Sequence, residues 1–174
     1  MKKLENYSYE DYLDIDNSTK ERIELIFGKV YMMAGATAKH QDAVLNIAII
    51  LKNMSKTKER CQPRIAPFDL KLTVDNKTNV VQPDVMLFCD EELPCAVFEV
   101  LSPSTAYKDK TVKKDLYQKS GIKEYFLINV EYEIVEKFML VDGIYSYIGV
   151  FGLEDTLTIE CMGEEVEAKE IFDL

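Results

Sequence analysis

Asp84 and Glu99 are the residues from which chemistry most readily starts. Each is a lone carboxylate inside a β-rich apolar run, Val80-Val81-Gln82-Pro83-Asp84-Val85-Met86-Leu87-Phe88 and Ala96-Val97-Phe98-Glu99-Val100-Leu101. A charge in mid-strand is costly to desolvate unless a cation stands near it. Two acids presented side by side from adjacent strands form a hard-oxygen site suited to Mg²⁺ or Mn²⁺. Taken singly, either acid is as well explained by a solvent-facing position or a lysine partner. His40, the one histidine, starts the inward face of a helix. That position serves phosphate contact or proton transfer, and equally a hydrogen-bonded helix start. The four cysteines, Cys61, Cys89, Cys95 and Cys161, contain no C-x-x-C pair and offer no zinc-site spacing. They read as reduced structural thiols of a cytoplasmic protein.

The elements that must position these acids follow from periodicity and turn chemistry. Ser8 with Asp11 three residues on marks a helix start, with Tyr9, Tyr12 and Leu13 as its short apolar face. Residues 22–33 read as a hairpin turning at Phe27-Gly28-Lys29. Ala43, Val44, Ile47, Ala48, Leu51 and Met54 recur at helical spacing and predict a helix over about 39–56. Cys61-Gln62-Pro63 reads as a break, followed by strands at 66–74, 80–88 and 96–101, the first two paired through the turn at 75–79. A second amphipathic helix runs from about 104 to Lys119 and stops at Ser120-Gly121. Strands at 124–129, 134–140 and 144–151 form a meander turning at Asp142-Gly143, and the acidic tail from Leu153 reads as a short strand and a loose end. The plan is α/β with a mixed sheet flanked by helices, one domain over 1–174.

Pro83-Asp84 with Glu99 fifteen positions on resembles the PD-(D/E)XK nuclease motif. The surrounding text is similar to a narrower group, the Uma-type restriction endonucleases of bacteria. The matching stretches are Glu24-Leu25-Ile26-Phe27-Gly28, His40, Gln82-Pro83-Asp84-Val85, Glu99-Val100-Leu101-Ser102-Pro103-Ser104-Thr105, Asp109 with Lys113 and Tyr117, and Gly121-Ile122-Lys123-Glu124-Tyr125, spread over a core of about 22–130. The resemblance implies a restriction-endonuclease-like fold and metal-dependent hydrolysis of DNA phosphodiester bonds. It implies a Mg²⁺ (or Mn²⁺) held by Asp84 and Glu99, with Glu24 completing the shell directly or through water. Leu101 stands where the superfamily places its lysine, so the lysine is expected on the following helix. Lys113 is the candidate: Asp109, Lys113 and Tyr117, four apart, share a helix face. Lys114 is its neighbour, and Asp109 is a competing intrahelical partner for Lys113. Tyr117 and Tyr125 read as core aromatics, and Ser102 to Thr105 as the strand end and helix cap.

Composition bounds the partners. The chain of 174 residues carries 21 Lys and Arg against 31 Asp and Glu, a net charge of -10. Such a balance excludes broad electrostatic adhesion to a phosphate backbone. Any nucleic acid is engaged locally, around residues 39–123, where the cations concentrate; beyond Lys137 only Lys169 remains. No apolar run is long enough to span a bilayer, and Glu5, Glu10 and Asp11 interrupt any apolar leader. Two other readings stand beside DNA cleavage: a phosphodiesterase acting on RNA or a small nucleotide, and a nuclease-fold binding or regulatory module without turnover. A homodimer is expected from the way symmetric subunits cut two strands.

Overall fold

The computed structural model describes residues 6–33, 35–57, 60–90 and 92–173, so the reading of the leader falls partly on residues 1–5, outside them. Helix α1 (Tyr9–Ser18) starts at Ser8, whose hydroxyl accepts from the Asp11 amide while the Asp11 carboxylate accepts from the Ser8 amide. Strands β1 (Ile23–Ile26) and β2 (Lys29–Met32) pair antiparallel as expected. Helix α2 (Ala38–Met54) is capped by Thr37 and buries Ala43, Val44, Ile47 and Leu51. Each large apolar side chain so buried contributes roughly 1.5–3 kcal/mol.

The strands that follow are divided differently from expectation. The supposed break at 61–63 lies in β3 (Cys61–Ile65), which pairs antiparallel with β6 (Val85–Cys89). The run 80–88 is two strands: β5 (Lys77–Val81), paired with β4 (Leu70–Val74), and then β6 in a different sheet. Pro83 has no amide to donate to a ladder, so the chain leaves one sheet there and enters the next. Asp84 therefore stands at the junction between two sheets and not in mid-strand.

Strand β7 (Ala96–Val100) leads into one long helical passage: α3 (Ala106–Lys108), a π-helical turn (Asp109–Lys113) and α4 (Lys114–Ser120). Gly121, at φ 82°, takes the left-handed position that ends it. Strand β8 (Glu124–Asn129) then pairs parallel with β7, and β9 (Ile134–Val141) and β10 (Ile144–Phe151) complete the meander. The larger sheet has the order β10-β9-β8-β7-β6-β3, and the smaller one β2-β1-β5-β4. Alternation along β7 sends Ala96, Phe98 and Val100 to the side packed by α2, and Val97 and Leu101 to the side packed by Leu116 and Tyr117 of α4. Glu99 shares the parity of Val97 and Leu101, so it is aimed at the helical passage.

The tail is not a loose end. Strands β11 (Thr156–Ile159) and β12 (Glu164–Glu167) form a hairpin followed by α5 (Lys169–Phe172), and Leu157, Ile159, Val166, Ile171 and Phe172 are buried in the α2-side core. The cysteines also depart from expectation. Cys61 is bonded to Cys89 and Cys95 to Cys161, leaving none free. Cys61 and Cys89 face each other across the β3–β6 ladder, a pairing that sequence spacing alone does not encode.

Candidate active site

The end of β7, the Pro83 junction, the start of α2 and the helical passage enclose a cleft of about 620 Å³. Its walls include His40, Asp84, Glu99, Val100, Lys108, Asp109 and Lys113. Asp84 is held where the chain changes sheets. Its Oδ2 accepts from the Val100 amide at 2.8 Å and lies 3.2 Å from His40 Nε2. The Asp84 and His40 side chains are 18% and 12% exposed, which leaves both in reach of a molecule in the cleft. Burial works against the His40 cation, but the hydrogen bond and charge of Asp84 outweigh it and raise the imidazole pKa.

Glu99 lies deeper. Its Oε1 accepts from Lys113 Nζ at 2.8 Å and from the Tyr117 hydroxyl at 2.7 Å. An ammonium thus reaches Glu99 from the helical passage and not from position 101. Lys114 points elsewhere, with its ammonium 3.7 Å from the centre of the Phe138 ring. Tyr117, read from sequence as a core aromatic, is that and also a donor to Glu99. Burial pushes the Glu99 carboxyl up to about 8 against the pull of Lys113. Lys113 is desolvated too, but Glu99, Glu24 and Asp109 together hold its pKa above the ordinary value.

Glu24 is placed differently from expectation. It is fully buried, it does not line the cleft, and its oxygens are committed. Oε1 accepts from the Gln82 amide at 3.1 Å and lies 3.0 Å from Lys113 Nζ, while Oε2 is 2.6 Å from Lys108 Nζ. Burial opposes its ionisation, yet Lys113 and Lys108 overcome this and keep its pKa below 4.5. It anchors lysines from behind the cleft instead of opening toward a metal.

Lys108 counts in the sequence only among the cations of residues 39–123, and its pairing with Glu24 was not foreseen. Residues five apart diverge by roughly 140° around an α-helix. The i→i+5 bonding of a π-turn stacks them instead, and here both Lys108 and Lys113 reach one carboxylate. The Tyr125 hydroxyl donates to the Asp109 carbonyl at 3.0 Å, occupying the oxygen at the start of the π-turn. No pattern of apolar residues announces that contact.

The fit to a divalent cation is partial and specific. Among the described residues, no three His, Cys, Asp or Glu side chains stand in a ready cage. The expected trio of Glu24, Asp84 and Glu99 fails because Glu24 is held by lysines. Asp84 and Glu99 are the better matched pair: the hydrogen bonds to each fall on one oxygen, Asp84 Oδ2 and Glu99 Oε1. Two carboxylates with waters and phosphate oxygens are an ordinary Mg²⁺ environment.

Comparison with known proteins agrees with this architecture. Two proteins of Synechocystis sp. (strain ATCC 27184 / PCC 6803 / Kazusa) are similar. Uncharacterized protein slr1290 is 30% identical over 143 residues, 75% of this chain and 74% of its own. Uncharacterized protein sll1609 is 28% identical over 174 residues, 93% and 91% of the two chains. The crystal structure of "a putative nuclease belonging to DUF820" from Anabaena variabilis ATCC 29413 superposes with a TM-score of 0.73 at 18% identity, covering 92% of this chain and 96% of that one, which shows a shared fold. The model of the Uma2 family, described as "Putative restriction endonuclease", matches residues 9–169, and the chain belongs to that family.

Proposed function

We propose that the protein is a metal-dependent nuclease that hydrolyses DNA phosphodiester bonds in this cleft. The observation that carries the reading is Lys113: an ammonium from the helical passage 2.8 Å from the Glu99 carboxylate, restoring the charge that Leu101 omits. A Mg²⁺ or Mn²⁺ bound by Asp84 and Glu99 would supply Lewis-acid stabilisation of the phosphoryl group and lower the pKa of water. Lys113 balances charge that builds on the phosphate oxygens in the transition state. Its three carboxylate neighbours keep it protonated, so it acts as a fixed cation and not as a base. His40 lines the cleft with Nε2 on Asp84, and its Nδ1, buried without a hydrogen-bond partner, is the atom we assign to a phosphate oxygen. Lys20 and Arg22 join Lys108 on the cleft lining, so the net charge of -10 does not oppose local capture of a phosphate backbone. Among the described residues no helix is long and apolar enough to cross a membrane.

The test is Mg²⁺- or Mn²⁺-dependent cleavage of plasmid, single-stranded DNA and RNA by the parent protein beside Glu99→Ala and Lys113→Ala. Loss in both variants and cleavage of DNA by the parent are expected. Equal activity in all three proteins would mean a contaminant, and metal-independent binding without turnover would favour a regulatory module.

A further inference from the structure

Asp109 has no place in the chemistry derived so far. It is 2% exposed, yet it lines the cleft, and its Oδ1 is one of two buried side-chain atoms among the described residues that make no hydrogen bond. The other is His40 Nδ1, on the same cleft. The nearest described cation to that oxygen, Lys113 Nζ, lies at 3.8 Å, beyond hydrogen-bond range. A buried carboxylate oxygen left without a donor is costly, and a ligand that brings a donor would relieve that cost. The two unanswered atoms are complementary: one donates and the other accepts. A phosphodiester with an attacking water presents the matching pair, an acceptor oxygen and an O–H.

The acceptor is not suited to be a third metal ligand, because no third carboxylate stands with Asp84 and Glu99 in a common cage. The π-turn explains why it stands where it does. Asp109 opens that turn, its carbonyl fixed by Tyr125, and four residues on Lys113 is drawn to Glu24 and Glu99. Lys113, gripped by those carboxylates, is a poor proton acceptor.

We infer that Asp109 is the residue that orients the attacking water and takes its proton through Oδ1. The inference rests on the nuclease reading above. In the step, the water oxygen forms a new bond to phosphorus and the bond from phosphorus to the leaving ester oxygen breaks, its electron pair staying on that oxygen. The water proton passes to Asp109 Oδ1, and the leaving oxygen is protonated from solvent.

The experiment compares the parent, Asp109→Asn and Asp109→Ala in plasmid cleavage, Mn²⁺ binding by calorimetry, and thermal unfolding. Asparagine preserves shape but cannot take the proton, so kcat should fall at least about 100-fold, with KM and Mn²⁺ affinity within about threefold of the parent. Formate, a small carboxylate able to occupy the space left in Asp109→Ala, should restore part of that variant's kcat and none of a Glu99→Ala protein's. Cleavage by Asp109→Asn within about fivefold of the parent overturns the inference while leaving the nuclease reading intact. Loss of Mn²⁺ binding in Asp109→Asn overturns it in favour of a metal ligand. A parent protein that binds Mn²⁺ but cuts no nucleic acid overturns the nuclease reading, and the inference with it. If Asp109→Asn unfolds, formate rescue of Asp109→Ala decides.

Discussion

Lys113 and Lys137 are both buried cations packed among carboxylates, 3% and 2% exposed. Around Lys137 the hydrogen-bonding capacity is matched. Its ammonium donates to the Thr158 carbonyl at 2.7 Å and lies 3.3 Å from both Glu124 and Glu160. Glu124 also accepts from the Glu160 and Cys161 amides, which ties the β11–β12 hairpin to the sheet. Around Lys113 the account does not close: three acids crowd its ammonium, of which only Glu24 has a second cation in Lys108, and Asp109 Oδ1 and His40 Nδ1 have no hydrogen-bond partner on residues that line an open cleft. Burial raises the pKa of both Glu99 and Glu124, so a raised carboxyl does not by itself mark the site. Unmet valence beside a cleft is what distinguishes the Lys113 cluster from one that docks a hairpin.

The largest effect expected from that contrast is on turnover. Lys113→Met should lower cleavage by roughly 10²–10³-fold, the scale for removing one preorganised electrostatic contact. Its stability cost should be smaller than that of Lys137→Met, because Glu99 can stay protonated and Glu24 keeps Lys108. Lys137→Met leaves the buried Glu124 without its cation, a change of about 3–5 kcal/mol. Denaturant unfolding should show that loss, while cleavage per folded molecule stays at the parent level. A Lys137→Met protein that is stable but inactive would erase the distinction.

A second contrast lies in pH. The unfolded Glu99 carboxyl has its ordinary pKa of 4.5, and burial carries the folded one to about 8. The folded state therefore holds the proton more tightly, and its stability falls as pH rises from 4.5 toward 8 in metal-free protein. Glu24 has the opposite sign: held below 4.5 by Lys113 and Lys108, it contributes stability above that pH and loses it in acid. Thermal melts of Glu99→Gln should lack much of the decline between pH 4.5 and 8 and retain the acid limb. Divalent metal should oppose the decline in the parent and release protons at pH 7, measurable by calorimetry in buffers of different ionisation enthalpy. Binding of Mn²⁺ without proton release at pH 7 would show that the metal does not displace the Glu99 proton.

Sequence carried the site unevenly. Pro83-Asp84 and Glu99 were legible because a carboxylate in an apolar run is costly, and the α2 stripe because helical periodicity is explicit. The approach of Lys113 to Glu99 was anticipated only through resemblance, since no local rule links a strand to the helix after it. The sheet change at Pro83 was within reach, because proline cannot feed a central ladder, yet the apolar residues on both sides read as one strand. Glu24 was expected at a metal shell and stands instead between Lys108 and Lys113, because both lysines are brought to it by a π-turn that no periodicity announces. The tail was misread because its acidic exposed positions mask the alternation of Leu157, Ile159 and Val166 that buries it.

The π-turn supplies the smallest and most discriminating test. Lys108 is 14% exposed and 2.6 Å from Glu24, and Lys113 grips the other oxygen of the same carboxylate. Lys108→Met therefore removes one of two cations from a buried anion, and about 1–2 kcal/mol of stability should be lost, the low end for a charge-assisted hydrogen bond. Glu24 then depends on Lys113 alone and draws it from Glu99, so turnover should fall by about tenfold or less. Combined with Glu24→Gln, the effect on unfolding should be strongly non-additive, because both changes remove the same contact. Additive losses would mean that Lys108 acts elsewhere. A fall in turnover as deep as that of Lys113→Met would place Lys108 at the reacting phosphate, and the site would then extend across the π-turn as far as Glu24.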